Sequence, residues 1–196
     1  MAAVMEINIL SKKFIKVKGL FNILKDKFNL TMRVNNVEAM DNWEYENIIK
    51  LSNKDNILEY VENHKIINIE FSIYDKHIAG CQIEKLEDVY LICFWINTLN
   101  LKYLDSDTIN EKNKRIYELI TNEVIKSIDK YRIIITSIGI ETMFVYDKDI
   151  KEIINKSKNV IRWIMPNTCE KDISKYYLEQ KYEAYAEVYT RKSRYE

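Results

Sequence analysis

The sequence predicts an α+β fold built on a mostly antiparallel sheet, with a three-strand meander at about residues 66–98. In the first strand of this stretch, Ile67, Ile69 and Phe71 alternate with polar residues, which is the period of a strand with one buried face. Short polar breaks separate the three strands. Residues 89–96 are apolar on both faces, as expected for a central strand, and Trp95 is predicted to contact the longest helix.

Helical and strand patterns alternate along the rest of the chain, and no Gly-, Pro- or Ser-rich linker interrupts them. This pattern favours helices packed on one sheet, and therefore a single domain spanning residues 1–196. One interpretation of residues 1–4 is an expression scar ahead of Met5. Further strands are predicted at 6–10, 30–37, 132–140, 160–165 and 182–190, and helices at 14–28, 43–51, 53–63, 108–130, 147–157 and 172–180. The 182–190 segment also fits helical spacing, because Tyr182, Tyr185 and Tyr189 share one helical face.

Composition excludes several classes of protein. Lys plus Arg and Asp plus Glu both number 30, and only six of the basic residues are Arg, which argues against nucleic-acid binding. No apolar run reaches the roughly 20 residues of a membrane span. The three cysteines are scattered, at 81, 93 and 169, and predict reduced thiols in a cytoplasmic protein.

No recognisable catalytic or ligand-binding motif is present in the sequence. The chain has three glycines, at 19, 80 and 139, too few for a phosphate loop or a dinucleotide fingerprint. His77 and Cys81 share a strand face about 13 Å apart, at about 3.3 Å per residue, so they are too distant to pair. No closely spaced Cys or His pair predicts a metal site. We therefore expect no catalytic residue, no cofactor and no metal.

Acidic turns and tyrosines are the candidate partner-binding residues. The first acidic group follows the second meander strand, the second precedes the long helix, and two tyrosines come from the C-terminal strand. They are Glu84, Glu87 and Asp88; Asp105 and Asp107; Tyr185 and Tyr189. The simpler interpretation is solvated turns, a helix N-cap and half-buried strand tyrosines. The functional one is an acidic surface with exposed tyrosine anchors for a basic protein, which requires the two acidic groups to lie close together.

The chain as a whole, with its Trp95-bearing central strand, resembles the immunity proteins encoded beside bacterial polymorphic toxins, and phage anti-defence inhibitors share this character. The resemblance implies inhibition of a cognate toxin or effector by tight protein–protein binding, without enzymatic activity. An inactive subunit of a homo-oligomer is an alternative. Residues 173–186 (ISKYYLEQKYEAYA) are similar to the last helix and strand of N-acetyltransferases, which implies a degenerate enzyme of that type. However, Asn97-Thr98-Leu99-Asn100 stands where those enzymes carry a glycine-rich loop.

Overall fold

The computed structural model describes residues 3–15, 32–52, 56–73, 77–99, 106–167, 177–182 and 186–192 of the chain. The strands in these ranges are β1 Val4–Ser11, β2 Met32–Met40, β3 Ile49–Lys50, β4 Ile66–Ile73, β5 His77–Leu86, β6 Val89–Asn97, β7 Ile133–Met143, β8 Lys158–Pro166, β9 Tyr177–Tyr182 and β10 Ala186–Arg191. The helices are α1 Ile57–Glu62, α2 Lys114–Tyr131 and α3 Ile150–Lys156.

All ten described strands belong to one sheet, in the order β3-β2-β4-β5-β6-β1-β7-β8-β10-β9. Every pairing between them is antiparallel. The predicted α+β class with a dominant antiparallel sheet is confirmed. Because β1 pairs with both β6 and β7, those two strands run in the same direction, and α2 connects them by crossing back over one face of the sheet.

The main hydrophobic core lies between the sheet and the helices α1 and α2. Alternate residues of the central strands point into it, so that Ile7, Phe94 and Ile138 meet Tyr117 and other α2 residues. We call this side the α2 face. Arg162 crosses it as a buried ion pair: its Nη1 donates to Glu118 Oε1 at 3.0 Å and to Thr121 Oγ1 at 2.8 Å. The core therefore contains one charged contact that fixes α2 against β8.

The other side of the sheet, which we call the opposite face, has two distinct regions. Across β7, β8 and β10 it carries a second apolar core, where Ile135, Trp163 and Tyr189 pack with Ile153 of α3. Across β4, β5, β6 and β1 it carries polar side chains, many of them half-buried, together with apolar ones such as Leu91 and Trp95. The half-buried polar side chains on these four strands make this region a candidate for a functional site.

The central strand departs from its prediction. In β6, Ile92, Phe94 and Ile96 are buried, whereas Cys93 and Trp95 between them are only half-buried. The prediction that residues 89–96 are buried on both faces is therefore wrong for one face. The contact predicted between Trp95 and the long helix is also wrong, because strand alternation turns Trp95 onto the opposite face.

Several element boundaries also differ from those predicted. The helix predicted at 43–51 is a series of turns followed by β3. The long helix begins at Lys114, because residues 108–113 form turns held by the Asn113 side chain, whose amide donates to the Thr108 carbonyl at 3.1 Å. In the helix predicted at 172–180, the described part is strand β9. Nearly all of the helix predicted at 14–28 lies outside the described residues.

Candidate functional site

The predicted acidic residues that the structure describes do not form one surface. Glu87 and Asp88 make the exposed β5–β6 turn, where Glu87 adopts φ 53° and pairs with Lys148 at 2.8 Å. Asp107 precedes the 18-residue helix α2, which is about 27 Å long at about 1.5 Å per residue. The helix returns the chain to the end of the sheet where β6 and β7 both begin, which is also the end that carries the Glu87–Asp88 turn. The expected proximity is therefore wrong for Asp107, which lies toward the opposite end of the sheet from Glu87 and Asp88. Asp105 lies outside the described residues.

Of the two predicted tyrosine anchors, the structure describes Tyr189, which does not lie at the surface. Tyr189 is only 4% exposed, and its hydroxyl donates to Glu187 Oε2 at 3.0 Å. Its position in β10 directs the ring toward Trp163, with which it is paired in register. The prediction that Tyr189 is an exposed anchor is wrong, because it fills the second core. Tyr185 lies outside the described residues.

The exposed aromatic residues lie elsewhere, in residues 41–48 between β2 and β3, which we call the acidic aromatic loop. Trp43 is 46% exposed, Tyr45 52% and Ile48 46%. The same segment carries three carboxylates, at Asp41, Glu44 and Glu46, and no basic residue. Adjoining exposed apolar side chains that are rimmed by charged residues mark candidate protein-interaction sites.

Hydrogen bonds within the acidic aromatic loop hold its shape. The Asn42 side chain accepts from the backbone amide of Glu44 at 3.0 Å and donates to Glu46 Oε2 at 2.7 Å. The Asn47 side chain donates to Asp41 Oδ2 at 2.6 Å, and the Asp41 amide donates to the Glu46 carbonyl at 3.0 Å. Because the turn is closed by its own side chains, Trp43 and Tyr45 are presented on a fixed backbone.

The charges of this loop are only partly compensated. Lys65 bonds to Asp41 and, with Asn47, holds the pKa of that carboxyl below its ordinary value. Among the described residues, no salt bridge engages Glu44 or Glu46. Burial raises the pKa of Glu84 on β5, although a hydrogen bond from the Trp43 side chain opposes that rise. That hydrogen bond joins Glu84, one of the predicted site residues, to the acidic aromatic loop.

A row of five polar side chains crosses the opposite face. Direct cross-strand pairing aligns Asn68, Gln82, Cys93, Asn8 and Ser137 on five adjacent strands. Asn8 Nδ2 donates to Ser137 Oγ at 3.2 Å, whereas the buried Asn68 Oδ1 has no hydrogen-bond partner. We call this set the polar row. Polar groups buried in this way are normally satisfied, so the unpaired Asn68 oxygen marks a position where a donor is expected.

Beside the polar row, Glu6 is held in a short hydrogen-bonded chain. Thr142 Oγ1 donates to Glu6 Oε2 at 2.7 Å and accepts from Asn8 Nδ2 at 2.9 Å. Burial raises the pKa of Glu6, and nearby Glu141 adds to the rise. This carboxylate is therefore partly removed from water without a cation among the causes that shift its pKa.

A small pocket adjoins the Glu87–Asp88 turn. Its volume is about 260 Å³. Leu10, Val89 and Ile153 are among its apolar lining residues, and Asp88 and Tyr146 are among the polar ones. Burial, together with Glu87 and Asp88, raises the pKa of Tyr146. The lining carries both acidic and basic groups, so the pocket does not favour a ligand of one charge.

The thiols are on different sides of the sheet. Cys81 lies opposite Phe94 on the α2 face, whereas Cys93 lies opposite Gln82 on the opposite face. Both are free thiols, and burial raises the pKa of Cys93 to about 12. Cys169 is not among the described residues. Within the described ranges, no group of three His, Cys, Asp or Glu residues is arranged to hold a metal ion.

Trp43 and Tyr45 are the residues that the sequence prediction missed. The sequence prediction places both in a helix over residues 43–51. The signal for a turn was the pair of Asx residues before Trp43 and the Asn at 47, since Asn and Asp side chains bond locally to backbone and tolerate positive φ. Asn47 indeed adopts φ 49° and Tyr45 φ 61°.

No family model, curated protein or solved structure matches this chain. Across the described ranges, none of the helices combines the length and the apolar character that crossing a bilayer requires. The fold and the site together define a sheet-dominated α+β protein with a rigid acidic aromatic loop at one end of its sheet.

Proposed function

We propose that the protein binds a basic protein partner through the acidic aromatic loop and neutralises it, in the manner of an immunity protein acting on a toxin in the cytoplasm. The observation that carries the proposal is the loop itself. Trp43 and Tyr45 are about half-exposed on a backbone that is closed by its own side chains, and Glu44 and Glu46 beside them lack basic partners among the described residues.

Each part of the loop has a physical role in such an interface. Trp and Tyr are enriched among the few residues that supply most of the binding energy. A preformed loop avoids the entropic cost of ordering on association. Uncompensated carboxylates attract a basic surface over distance and accelerate encounter, an effect that salt screens. Together these features fit tight and fast binding to a basic site, such as one that a nuclease toxin uses to hold nucleic acid.

The Glu87–Asp88 turn extends the same surface. Met40 pairs with Ile66 at the start of β4, and Leu86 pairs with Val89 at the start of β6, so the loop and the turn lie at one end of the sheet. Three inter-strand steps, from β2 to β6, separate them by roughly 14 Å. An interface of ordinary size, about 800 Å² on each partner, covers that distance.

The first experiment identifies the partner and tests the loop. The wild-type protein and a Trp43→Ala/Tyr45→Ala variant are used as baits in cell lysate of the source organism, and captured proteins are identified by mass spectrometry. A captured basic protein is then purified, and its binding is measured directly. We expect the double variant to bind more weakly by about 2 kcal/mol or more, as when other interface anchors are truncated. Equal affinity of the double variant and the wild type would contradict the proposal.

The second experiment tests the charges. Reversal of Glu87 and Asp88 to Lys should slow association and flatten its dependence on ionic strength, while the unfolding curve stays unchanged. Asp107→Lys, at the other end of the sheet, is the matched control and should leave association unchanged. If the double variant associates at the wild-type rate at every salt concentration, the turn is only solvated. Neighbouring genes distinguish a toxin partner from the host-defence target of a phage inhibitor.

A further inference from the structure

Trp95 lies flat on the opposite face, over a glycine. A Cβ atom added to Gly80 would lie 2.4 Å from Trp95 Cε2 and 2.5 Å from its Cζ2 and Nε1. The indole therefore extends from β6 across β5 toward β4, in the space that a side chain at position 80 would take. The absence of a side chain on Gly80 creates this platform, and the Trp95 side chain on it is half-buried.

Carboxylates stand at both ends of the platform. Direct pairing places Glu70, Gly80, Trp95 and Glu6 in one line across β4, β5, β6 and β1. Glu6 is the neighbour of Trp95 on one side, and Glu70 lies beyond Gly80 on the other. Both carboxylates are half-buried. Two acids that flank an aromatic face are arranged to surround a positive group placed on the ring.

The adjoining polar row contributes hydrogen-bond acceptors. Asn68 precedes Glu70 by two residues on the same strand face and is 6% exposed, and its Oδ1 is buried without a partner. Gln82 is its cross-strand neighbour. The opposite-face positions of β4, β5, β6 and β1 include no Lys or Arg. This region of the described structure therefore has one unpaired acceptor, at Asn68, and negative charge, and the complementary group is a cationic donor.

We propose that Trp95, Glu6, Glu70 and Asn68 form a binding site for a guanidinium group. A guanidinium is planar, so it stacks on an indole, and it carries five N–H donors in one plane for carboxylate and amide oxygens around the ring edge. An alkylammonium has a compact charge and is more strongly hydrated, so it uses the flat face and the dispersed acceptors less well.

The guanidinium group has two possible sources, an arginine side chain of the protein partner or a small free compound. The first source rests on the proposed function, whereas the chemistry of the site does not. The Trp43 side chain lies close enough to Glu84 to lower the pKa of its carboxyl, and Glu84 is two residues along β5 from Gln82, so the acidic aromatic loop and the guanidinium site adjoin. A basic partner seated on the loop would thus place its residues beside Trp95.

The test begins with the free protein and small probes at low ionic strength. Methylguanidinium and agmatine are titrated while the indole resonance of Trp95 and the amide resonances of Asn68 and Gln82 are followed by NMR. Methylammonium and urea are titrated in parallel, since urea has the planar shape without the charge. We expect saturable shifts at these residues with the two guanidinium compounds, weaker shifts with methylammonium and no saturation with urea.

Variants then assign the site. Trp95→Leu should weaken guanidinium binding by about 2- to 30-fold, the affinity equivalent of a cation–π contact. Glu6→Gln and Glu70→Gln should each weaken it as well, and Glu59→Gln on α1, across the sheet, should not. Unchanged affinity in all three site variants, with folding verified by circular dichroism, would overturn the proposal. So would equal saturation by urea, which would show a neutral polar site.

A final comparison separates this inference from the proposed function. Once a partner is purified, its arginines are replaced one at a time by Lys, and binding to wild-type and Trp95→Leu protein is compared. If one Arg→Lys change loses its effect in the Trp95→Leu background, that arginine occupies the site. If the probes bind but no arginine couples to Trp95, the site serves a free guanidinium compound. If the loop variants abolish partner binding while the probes fail to bind, the proposed function stands and this inference falls.

Discussion

The buried ion pair between Arg162 and Glu118 leads to a prediction about which partner is more costly to remove. Arg162 is 3% exposed, whereas the Glu118 side chain retains 29% exposure and can be hydrated. Removing the carboxylate therefore leaves a charge inside the core. Removing the arginine leaves a charge that water can reach. We therefore expect removal of Glu118, the more exposed of the two residues, to cause the larger loss of stability.

The magnitudes follow from the contacts. Glu118→Ala should cost about 3–5 kcal/mol, the usual penalty when a buried charge loses its partner. Arg162→Met should cost about 1–2 kcal/mol, because it loses hydrogen bonds to Glu118, Thr121 and Thr190 while an apolar chain of similar length fills the space. Glu118→Gln keeps an acceptor for Nη1 and should fall between the two.

Urea unfolding of the three variants, followed by circular dichroism, measures these differences directly. In the Arg162→Met background, Glu118→Ala should add little, because the buried charge is already absent. If Arg162→Met is as destabilising as Glu118→Ala or more so, the hydrogen bonds to the hydroxyls outweigh charge burial. That result would refute the claim that an unpaired charge on Arg162 is the main cost of breaking this contact.

Three further predictions concern β5 and β6. Phe94→Ala should cost about 3–5 kcal/mol in the same assay, since the ring is 1% exposed in the main core, and a loss below about 1 kcal/mol would contradict its core role. Gly80→Ala should lower the free energy of unfolding by about 1–3 kcal/mol, because the added Cβ clashes with Trp95. Adding Trp95→Leu to the Gly80→Ala protein should recover most of that loss, and no recovery would show that the strain lies elsewhere. Burial raises the pKa of Cys93 from 9.0 to about 12. Its thiol should therefore react with iodoacetamide far more slowly in the folded protein at pH 8 than in the protein unfolded in urea at the same pH, as measured by peptide mass spectrometry. Equal rates would show an accessible thiolate in the folded protein.

The sequence predicted the strands well where one face of the strand is buried. Alternation in β4 and the apolar run in β6 were visible, because burial in a sheet leaves a period of two. The sequence could not show that α2 returns across the sheet and separates Asp107 from Glu87, because that separation depends on the position of β1 between β6 and β7. Proximity of surface groups follows from strand order, which local patterns do not contain.

The candidate sites were less predictable than the fold. Asn8 and Ser137 are hydrogen-bonded neighbours although they lie 129 positions apart in the chain. Their alignment with Gln82 requires the register of several strand pairs, and a shift of one residue would send these side chains to the other face. The exposed Trp43 was hidden for a different reason: its turn is stabilised by the Asn42 side chain, which leaves no periodic signal.

The position of β1 has a consequence for how the chain folds. Its pairing partners are β6 and β7, and the nearest of these contacts in sequence joins Ser11 to Tyr90. The hairpins β4–β5, β5–β6 and β9–β10 close over short loops, whereas β1 joins two separately formed groups of strands and closes much larger loops, which slows folding. During synthesis, Ile7 and Ile9 emerge early and remain without their final neighbours until β7 is made. This strand is therefore the segment of the described structure that is exposed to aggregation or chaperone binding for longest.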